Sequence, residues 1–228
     1  SHLNLGYVNL QHLKHFILDE ADRMLDMGFF DDIMRIASYV PEKKQTLLFS
    51  ATMPPKIRQL AKNLQHEPEE INIAISKTAA GILQAAFVLY DSQKLPLLEH
   101  LLKAKKVSSL IIFCARKVTV KEIALAIKGL DYDIAAISSD LEQSEREDIM
   151  RKFKNKQLQI LVATDILSRG IDVEGIELII NYDVPNDAED YVRRVGRTAS
   201  ADKKGAAFTF IGPKEQRDFG QIEELIEM

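Results

Sequence analysis

The stretch QILVATDILSRGIDV, residues 159–173, decides the fold of this 228-residue chain. It opens with an apolar run that is too short for a helix, and polar residues follow at once. Continuous apolarity, rather than alternation, is typical of a strand buried on both faces of a parallel sheet. Because ligand sites in open α/β sheets lie at the carboxyl ends of strands, the polar residues after this run are candidates for a binding site.

Similar short runs recur along the chain and alternate with helical patterns. The predicted strands cover residues 15–18, 46–50, 85–90, 110–114, 133–137, 159–163, 177–182 and 206–211. Helical periodicity is clear in residues 118–127, 143–153 and 214–226. Strands that alternate with helices predict βαβ units and a doubly wound parallel α/β sheet.

Small residues and a glycine interrupt this alternation and predict a linker at about residues 74–83. We therefore expect two domains, residues 1–76 and 77–228. The second has enough predicted strands for a complete sheet, whereas the first has too few for an independent doubly wound core. The first should expose a sheet edge and apolar surface, so we expect it to pack on the second domain, self-associate or swap between chains.

The composition excludes several classes of protein. With 30 basic and 34 acidic residues, the whole surface is not built to bind nucleic acid, although a local basic groove remains compatible with this balance. The single cysteine, Cys114, cannot form an intrachain disulfide, so we expect a reducing, cytoplasmic location. No apolar run has the ~18–20 residues of a membrane span, and we expect no membrane partner.

Two polar groups follow predicted strands in the first domain. Asp19, Glu20 and Asp22 follow the strand at 15–18, where carboxylates hold magnesium through water or orient an attacking water. Alternatively, Asp22 caps the next helix and the others are solvated acids of its first turn. Ser50 and Thr52 close the strand at 46–50, and an ordinary strand-to-helix turn is the alternative there.

Two more polar groups lie in the second domain. The first follows the strand at 159–163 and comprises Thr164, Asp165, Arg169, Gly170 and Asp172. Its glycine permits close backbone approach, and its threonine and arginine suit a phosphate. Arg194 and Arg197 are three residues apart, so they share a face if this segment is helical. Their planar side chains suit phosphate oxygens, and a surface charge cluster is the alternative reading.

These groups occur in a fixed order along the chain. Residues 19–22 read DEAD, residues 50–52 read SAT, residues 163–172 read ATDILSRGID and residues 191–198 read YVRRVGRT. Between them lie IIFCARK at 111–117 and QSER at 143–146. Together they resemble the DEAD-box family of ATP-dependent RNA helicases. The resemblance implies two RecA-like domains of the P-loop NTPase helicase type, which close on ATP, Mg²⁺ and single-stranded or short duplex RNA.

The resemblance also implies roles for individual residues. Asp19 would hold Mg²⁺ through water, Glu20 would orient the hydrolytic water and Asp22 would link the nucleotide site to the other motifs. Ser50 and Thr52 would couple hydrolysis to RNA release. In the second domain, the implied nucleotide contacts are Asp172 at the ribose and Arg194 and Arg197 at the γ-phosphate, with Arg197 as the arginine finger. The implied RNA-binding residues are Phe113, Gln143, Arg146, Thr164, Arg169 and Gly170.

The sequence departs from the family pattern at several positions. Arg193 replaces a histidine, Ser200 an arginine, Ser138-Ser139 a His-Gly pair, and Arg116 a frequent threonine. No glycine is followed by Lys-Ser or Lys-Thr, so the P-loop that cradles phosphates is missing from these residues. We therefore expect a fragment, the end of a first domain plus a complete second one, that is inactive alone. The alternatives are a non-catalytic RNA- or partner-binding module and a DNA translocase of the same superfamily; the literal DEAD string favours RNA.

Overall fold

The computed structural model describes residues 2–50, 53–72, 82–164, 173, 175–198 and 205–226. The chain divides into two compact units, Ser1–Asn72 and Ile73–Met228. The domain boundary predicted after residue 76 lies outside the described residues, as does most of the linker predicted at 74–83. Leu83, at the end of that predicted linker, is the first residue of a strand.

The first unit is a small α/β layer built on two strands. Its described elements are a 3₁₀ helix at His2–Leu5, β1 (His15–Leu18), α1 (Ala21–Asp26), α2 (Phe30–Ala37), β2 (Gln45–Leu48) and α3 (Pro55–Leu64). The strands are parallel, and His15 lies opposite Gln45. The buried core comprises Leu18, Ala21, Ile33, Ile57 and Leu60. The predicted exposure of apolar surface is confirmed, since Ile17 and Phe49 are 55% and 54% exposed.

The second unit is a doubly wound parallel sheet, as predicted. Its described elements are β3 (Leu83–Val88), α4 (Asp91–Ala104), β4 (Leu110–Cys114), α5 (Lys117–Ile127), β5 (Ile134–Ile137), α6 (Gln143–Lys154), β6 (Ile160–Thr164), β7 (Leu178–Asn181), α7 (Ala188–Gly196), β8 (Ala206–Ile211) and α8 (Gln216–Ile226). The strand order is β3-β8-β7-β4-β6-β5. Every predicted strand is present, with ends shifted by at most about two residues, the usual uncertainty of an element boundary. None of the helices in the described part of the chain is long and apolar enough to cross a membrane.

Both faces of the six-stranded sheet are covered. Strands β4, β6 and β7 are buried along their whole length, which explains their continuous apolarity. Successive side chains point to opposite faces, so each central strand contributes to two cores. Residues Ile111, Phe113 and Ile179 pack with side chains from α6, α7 and α8. Residues Leu110, Ile112 and Ile180 pack with side chains from α4 and α5 on the other face.

The centre of this sheet has the geometry of a ligand site. Strands β4 and β7 are neighbours; β5 and β6 lie beyond β4, and β8 and β3 lie beyond β7. Such a reversal of strand order opens a crevice outside the carboxyl ends of the strands. The residues that follow β4 and β7, from Ala115 and from Tyr182 onwards, are therefore placed at this crevice.

Candidate functional site

The acidic turn of the first unit is held by an extension of the β1–β2 pairing. The Phe49 amide donates to the Leu18 carbonyl at 2.8 Å, and the Ala21 amide donates to the Phe49 carbonyl at 3.0 Å. Ala21 is fully buried at the start of α1. These bonds fix the DEAD turn to the end of β2, where the SAT residues begin.

Asp22 and Ser50 are brought together although 28 residues separate them. The Asp22 amide donates to Ser50 Oγ at 3.2 Å, and the Asp22 carboxylate accepts from the Arg23 amide at 3.0 Å. The N-cap position of α1 is Glu20, not Asp22, so the capping role considered for Asp22 is wrong. Thr52, the other predicted coupling residue, lies outside the described residues.

Asp19 and Glu20 present exposed carboxylates. Glu20 has a left-handed backbone (φ 51°, ψ 48°), a conformation that costs a side-chain-bearing residue roughly 1–2 kcal/mol. Its carboxylate lies 3.0 Å from the Arg23 guanidinium, while the Asp19 carboxylate accepts from the Glu20 amide at 3.0 Å. Within the described residues no group of three His, Cys, Asp or Glu side chains is arranged to hold a metal.

Arg194 lies at the centre of the second unit's site. Its side chain on α7 is only 1% exposed. Its Nη1 donates to Asn181 Oδ1 at 2.9 Å and to the Asp183 carbonyl at 3.4 Å, and its guanidinium carbon lies 4.9 Å from the centre of the Phe113 ring. Residues from β4, β7 and the turn after β7 thus hold one arginine in a fixed position.

Phe113 requires a correction to its predicted role. Its ring is fully buried inside β4, so it offers no surface for the direct RNA contact implied by the resemblance. It supports the guanidinium of Arg194 instead. The physical reason is position in the strand: Phe113 precedes the last residue of β4, where side chains still point into the core.

Arg197 and Arg193 differ from Arg194 in their surroundings. Arg197 follows α7 and is half-buried; its amide donates to the Arg194 carbonyl at 3.1 Å. Arg193, which stands in place of the family's histidine, pairs with Asp190 one turn earlier on α7. Ser200, the other departure in this motif, lies outside the described residues.

The other predicted RNA-binding residues that are described lie at the ends of α6 and β6. Gln143 is exposed in the first turn of α6 and donates to Glu147 Oε1 at 2.8 Å, and Arg146 Nε donates to the Leu141 carbonyl at 3.2 Å. Thr164 ends β6 opposite Cys114 of β4, and its buried hydroxyl has no hydrogen-bond partner within the described residues. Arg169, Gly170 and Asp172 lie outside the described residues.

Exposed charges fix the loop that leads into α6. Lys117 and Lys121 of α5 lie 2.7 and 3.0 Å from the Asp140 carboxylate, and these bonds lower the pKa of Asp140 below its ordinary value. Ser138, which replaces the family's histidine, is buried, and its Oγ accepts from the Asp140 amide at 3.4 Å. The departure at Ser138 therefore places a small buried hydroxyl at the end of β5.

Sequence reasoning missed a buried ionic cluster beside the crevice. The ammonium of Lys94 is 2.7 Å from Glu215 and 3.4 Å from Asp183, and Lys94 is 3% exposed. The carboxylates also accept from the amides of strand-end residues, Asp183 from Ala115 at 2.8 Å and Glu215 from Gly212 at 2.7 Å. The only sequence signal for this cluster is that Lys94 lies one turn before the buried Leu98, on the apolar face of α4.

The tyrosine next to this cluster is strongly perturbed. Burial raises the pKa of Tyr182 to about 12, and the nearby charge of Asp183 acts in the same direction. The Lys94 ammonium lies 5.6 Å from the centre of the Tyr182 ring. Tyr182 therefore stays protonated near neutral pH and contributes an apolar, neutral wall to the cluster.

Two family models match this chain. The model described as DEAD/DEAH box helicase matches residues 1–60, and the model described as helicase conserved C-terminal domain matches residues 93–202. The motifs quoted above lie within these two ranges, so the likeness to known sequences includes the candidate site.

Curated relatives are similar over almost the whole chain. The DEAD-box ATP-dependent RNA helicase CshA of Geobacillus kaustophilus is 42% identical over 225 residues, which cover 98% of this chain and 48% of the relative. The ATP-dependent RNA helicase DeaD of Buchnera aphidicola is 38% identical over 227 residues, which cover 38% of its length. The chain thus spans about half the length, or less, of these relatives.

Solved structures agree with the sequence relatives. A DEAD box protein of Methanococcus jannaschii is 40% identical, with a TM-score of 0.61 over all of this chain and 61% of that protein. Dbp5 of Saccharomyces cerevisiae, bound to RNA and ADP BeF3, is 28% identical, with a TM-score of 0.86 over 98% of this chain and 60% of that protein. The parallel sheet of the second unit is therefore a RecA-like helicase domain. The chain belongs to the DEAD-box helicase family.

Proposed function

We propose that this chain is part of an ATP-dependent RNA helicase that unwinds short RNA duplexes locally while it hydrolyses ATP. The observation that carries the proposal is the bond between the Asp22 amide and Ser50, which joins the DEAD and SAT elements at one sheet edge. Residues 1–76 would be the C-terminal part of the ATP-binding domain. Residues 77–228 would be the helicase C-terminal domain.

The acidic turn would bind Mg²⁺ and act on ATP, which is the substrate. Asp19 would hold the magnesium ion through water, and Glu20 would orient the water that attacks the γ-phosphate. The exposure of both carboxylates at the end of β1 supports these roles. Magnesium supplies charge stabilisation to the phosphates when it is bound.

Asp22, Ser50 and Thr52 would couple hydrolysis to RNA release. A shift of the DEAD turn would displace the SAT turn, because the amides of Ala21 and Asp22 both donate hydrogen bonds to residues at the end of β2. The supporting observation is that these contacts run through backbone amides, so movement of one turn displaces the other.

The second unit would supply the cations for the transition state. Arg194 and Arg197 would contact the γ-phosphate, with Arg197 as the arginine finger, and Asp172 would contact the ribose. An arginine finger is worth about 10³–10⁵ in the rate of phosphoryl transfer. Of the two arginines, Arg197 is the more accessible, because it is half-buried whereas Arg194 is only 1% exposed.

The RNA backbone would be bound by Gln143, Arg146, Thr164, Arg169 and Gly170. Phe113 would act through Arg194 rather than by touching RNA. The buried hydroxyl of Thr164, which has no partner within the described residues, supports a contact that is completed by a ligand. Contacts to phosphate and sugar carry no sequence information, so the helicase would act on RNA of any sequence.

We further propose that residues 1–228 alone neither hydrolyse ATP nor unwind RNA. The sequence contains no glycine followed by Lys-Ser or Lys-Thr, so these residues lack the backbone cradle and lysine that hold the β- and γ-phosphates. The cytoplasmic location stays a prediction.

The test is ATP turnover with and without single-stranded RNA. The 228-residue chain and the product of the complete open reading frame that encodes it are assayed side by side, each with Glu20→Gln as the contamination control. We expect RNA-stimulated turnover only from the complete product, and its loss in Glu20→Gln. Turnover by the 228-residue chain that disappears in Glu20→Gln would contradict the proposed inactivity.

The same assay separates the alternative functions. RNA binding without ATP turnover by the complete product would support the non-catalytic RNA- or partner-binding module instead. Stimulation by DNA rather than RNA would support the DNA translocase. Either result would remove RNA unwinding from the function of the protein.

Self-association through the first unit is a separate proposal. Its two-stranded sheet leaves Ile17 and Phe49 more than half exposed, a surface that a second copy could cover by pairing or by domain swapping. We expect sedimentation velocity to show dimers at micromolar concentration. A monomer whose amides in residues 1–73 exchange rapidly would contradict this proposal.

A further inference from the structure

One carboxylate joins the ends of two central strands of the second unit. Asp183 lies in the turn after β7, its side chain is only 20% exposed, and its Oδ2 accepts from the Ala115 amide at 2.8 Å. Ala115 is the first residue after β4. Just before this contact, the Tyr182 amide donates to the Phe113 carbonyl at 2.9 Å. The Asp183 side chain therefore continues the pairing of β7 with β4 beyond the last residue of either strand.

Lys94 holds this carboxylate from the interior of the unit. Its ammonium lies 3.4 Å from Asp183 Oδ1, the oxygen that does not face Ala115. The same ammonium lies 2.7 Å from Glu215 Oε2, while Glu215 Oε1 accepts from the Val184 amide at 2.9 Å. Each oxygen of Asp183 thus has its own donor. A side-chain amide in its place would leave one oxygen for two donors.

The turn after β4 is exposed and basic. Residues 115–118 are exposed between the buried end of β4 and the buried Thr119 of α5. Arg116 is the N-cap residue of α5, and within the described part of the chain its side chain makes no ion pair. Lys117 pairs at 2.7 Å with Asp140, in the loop before α6. The turn therefore presents the charge of Arg116 to solvent and contacts the loop that leads to the predicted RNA-binding helix.

The way in which this turn is held affects what its arginine can bind. A flexible turn loses conformational freedom when it binds a ligand, whereas a turn that is already fixed loses less and binds more tightly. Exposed ion pairs such as that of Lys117 are too weak to fix a turn by themselves. A hydrogen bond from the Ala115 amide to a carboxylate is charge-assisted and stronger. The buried ammonium of Lys94 in turn restricts the movement of that carboxylate.

We infer that Asp183 is a positioning residue for RNA binding: held by Lys94, it fixes the turn after β4 in the place from which Arg116 contacts an RNA phosphate. The inference rests on the proposed RNA binding by the second unit. It goes beyond that proposal because it assigns Asp183, Lys94 and Arg116, none of which is among the RNA-binding residues that the resemblance implies.

The positional part is tested by amide hydrogen exchange in the 228-residue chain. Asp183→Asn should accelerate exchange of the Ala115 amide about tenfold or more, because its hydrogen bond to a charged group is lost. Glu215→Gln is the matched control, since it removes one charge from the same cluster. It should accelerate exchange of the Val184 amide and leave that of Ala115 unchanged. Unchanged Ala115 exchange in Asp183→Asn, or equal acceleration in both variants, would overturn the positioning role.

The RNA part is tested by the affinity of the product of the complete open reading frame for single-stranded RNA. Arg116→Gln should weaken binding about tenfold. It should also lower the salt dependence of log K by about 0.7, the value for one phosphate contact on a single strand. Asp183→Asn should weaken binding too, and the double variant should bind no more weakly than Arg116→Gln does. Glu215→Gln should bind as the wild type does, as should Arg217→Gln, which removes an exposed arginine from α8.

Two results of the RNA experiment would overturn the inference. Additive losses in the double variant would show that Asp183 acts independently of Arg116. Equal losses in Asp183→Asn and Glu215→Gln would show that lower stability alone weakens binding.

The two arms distinguish the inference from the proposed function. If Asp183→Asn fails to fold, the positional step is decided in the wild-type chain by the NMR scalar coupling across the hydrogen bond from the Ala115 amide to the Asp183 carboxylate. Absence of that coupling would overturn the inference. Protected Ala115 exchange without RNA binding by the wild-type product would support the positional step and overturn the proposed function.

Discussion

The two units of this chain carry their site residues on cores of very different completeness. In the second unit, helices cover both faces of a six-stranded sheet, and three central strands are buried along their whole length. In the first unit, a two-stranded sheet leaves Ile17 and Phe49 more than half exposed. The comparison shows that a local turn such as DEAD can be held by a few backbone bonds, whereas a buried arginine requires a closed core.

The buried charges of the second unit give the largest expected effect on stability. Lys94 of the second unit is buried between Asp183 and Glu215, so Lys94→Met leaves two carboxylates facing each other without a cation. Removing one partner of a buried ionic cluster destabilises by about 3–5 kcal/mol. We expect the midpoint of urea unfolding of the second unit to fall with an unchanged m-value.

Two controls separate burial from charge in this experiment. Lys103→Met removes an exposed lysine from the same helix, and Arg23→Met breaks the exposed pair with Glu20 in the first unit. Exposed pairs are worth about 0–1 kcal/mol, so both variants should unfold nearly as the wild type does. A loss for Lys94→Met no larger than for Lys103→Met would show that the cluster does not stabilise the crevice.

The same leucine deletion in each unit tests whether the two cores are separate. Leu98 and Leu60 are both fully buried, Leu98 in the core under α4 and Leu60 in the small core of the first unit. Leu-to-Ala changes cost about 2–5 kcal/mol, less where the surroundings can collapse into the cavity. We expect Leu98→Ala towards the upper end and Leu60→Ala near the lower end.

Hydrogen exchange resolves the two effects by location. Leu98→Ala should accelerate exchange of the β4 amides and leave β1 unchanged, whereas Leu60→Ala should do the reverse. Acceleration of β4 exchange by Leu60→Ala would contradict the view that each unit has its own core.

The strands and the motifs were predictable from the sequence, because both depend on local pattern. Short apolar runs such as residues 110–114 and 206–211 have the bounds of β4 and β8. Asp22 and Ser50 were each predicted to follow a strand of the first domain, and the structure brings them into hydrogen-bond contact. Parallel pairing alone is enough to do this, since it aligns strand ends.

The contacts of side chains across the sheet were not predictable. Asn181 sits in an apolar run, and nothing in the sequence indicates that Phe113 and Thr209 flank it in register. Strand order decides those neighbours, and strand order is set by the whole fold. The resemblance implies an RNA contact for Phe113, whereas its position in a central strand places its ring against the guanidinium of Arg194.

A glycine in the second unit gives a smaller and more local effect. A Cβ added to Gly205 would lie 1.5 Å from Thr198 Oγ1 and 2.8 Å from the Thr198 carbonyl oxygen, so the backbone would have to move. Overpacking of this kind costs about 1–3 kcal/mol, and we expect Gly205→Ala to lower the urea midpoint accordingly. Gly129→Ala is the control, since a Cβ there meets nothing within 4 Å. Equal stability of the two variants would contradict the close approach of Gly205 to Thr198.

The smallest expected effect on stability comes from the exposed Asp140 carboxylate and the two lysines that contact it. Hydrogen bonds from Lys117 and then Lys121 lower the pKa of Asp140, so its ionised form is the one that ties α5 to the loop before α6. Since the folded pKa lies below the ordinary value of about 3.9, the tie is complete above that value and is lost as the pH falls through the folded pKa.

An NMR titration of the Asp140 carboxyl carbon should therefore show a midpoint below about 3.9 in the wild type. The midpoint should rise towards that value in the double variant Lys117→Met/Lys121→Met. Of the two single variants, Lys117→Met should raise the midpoint more than Lys121→Met does, because the Lys117 contact is the shorter at 2.7 Å. Equal midpoints in the wild type and the double variant would show that solvent screens the Asp140 carboxylate completely from both lysines.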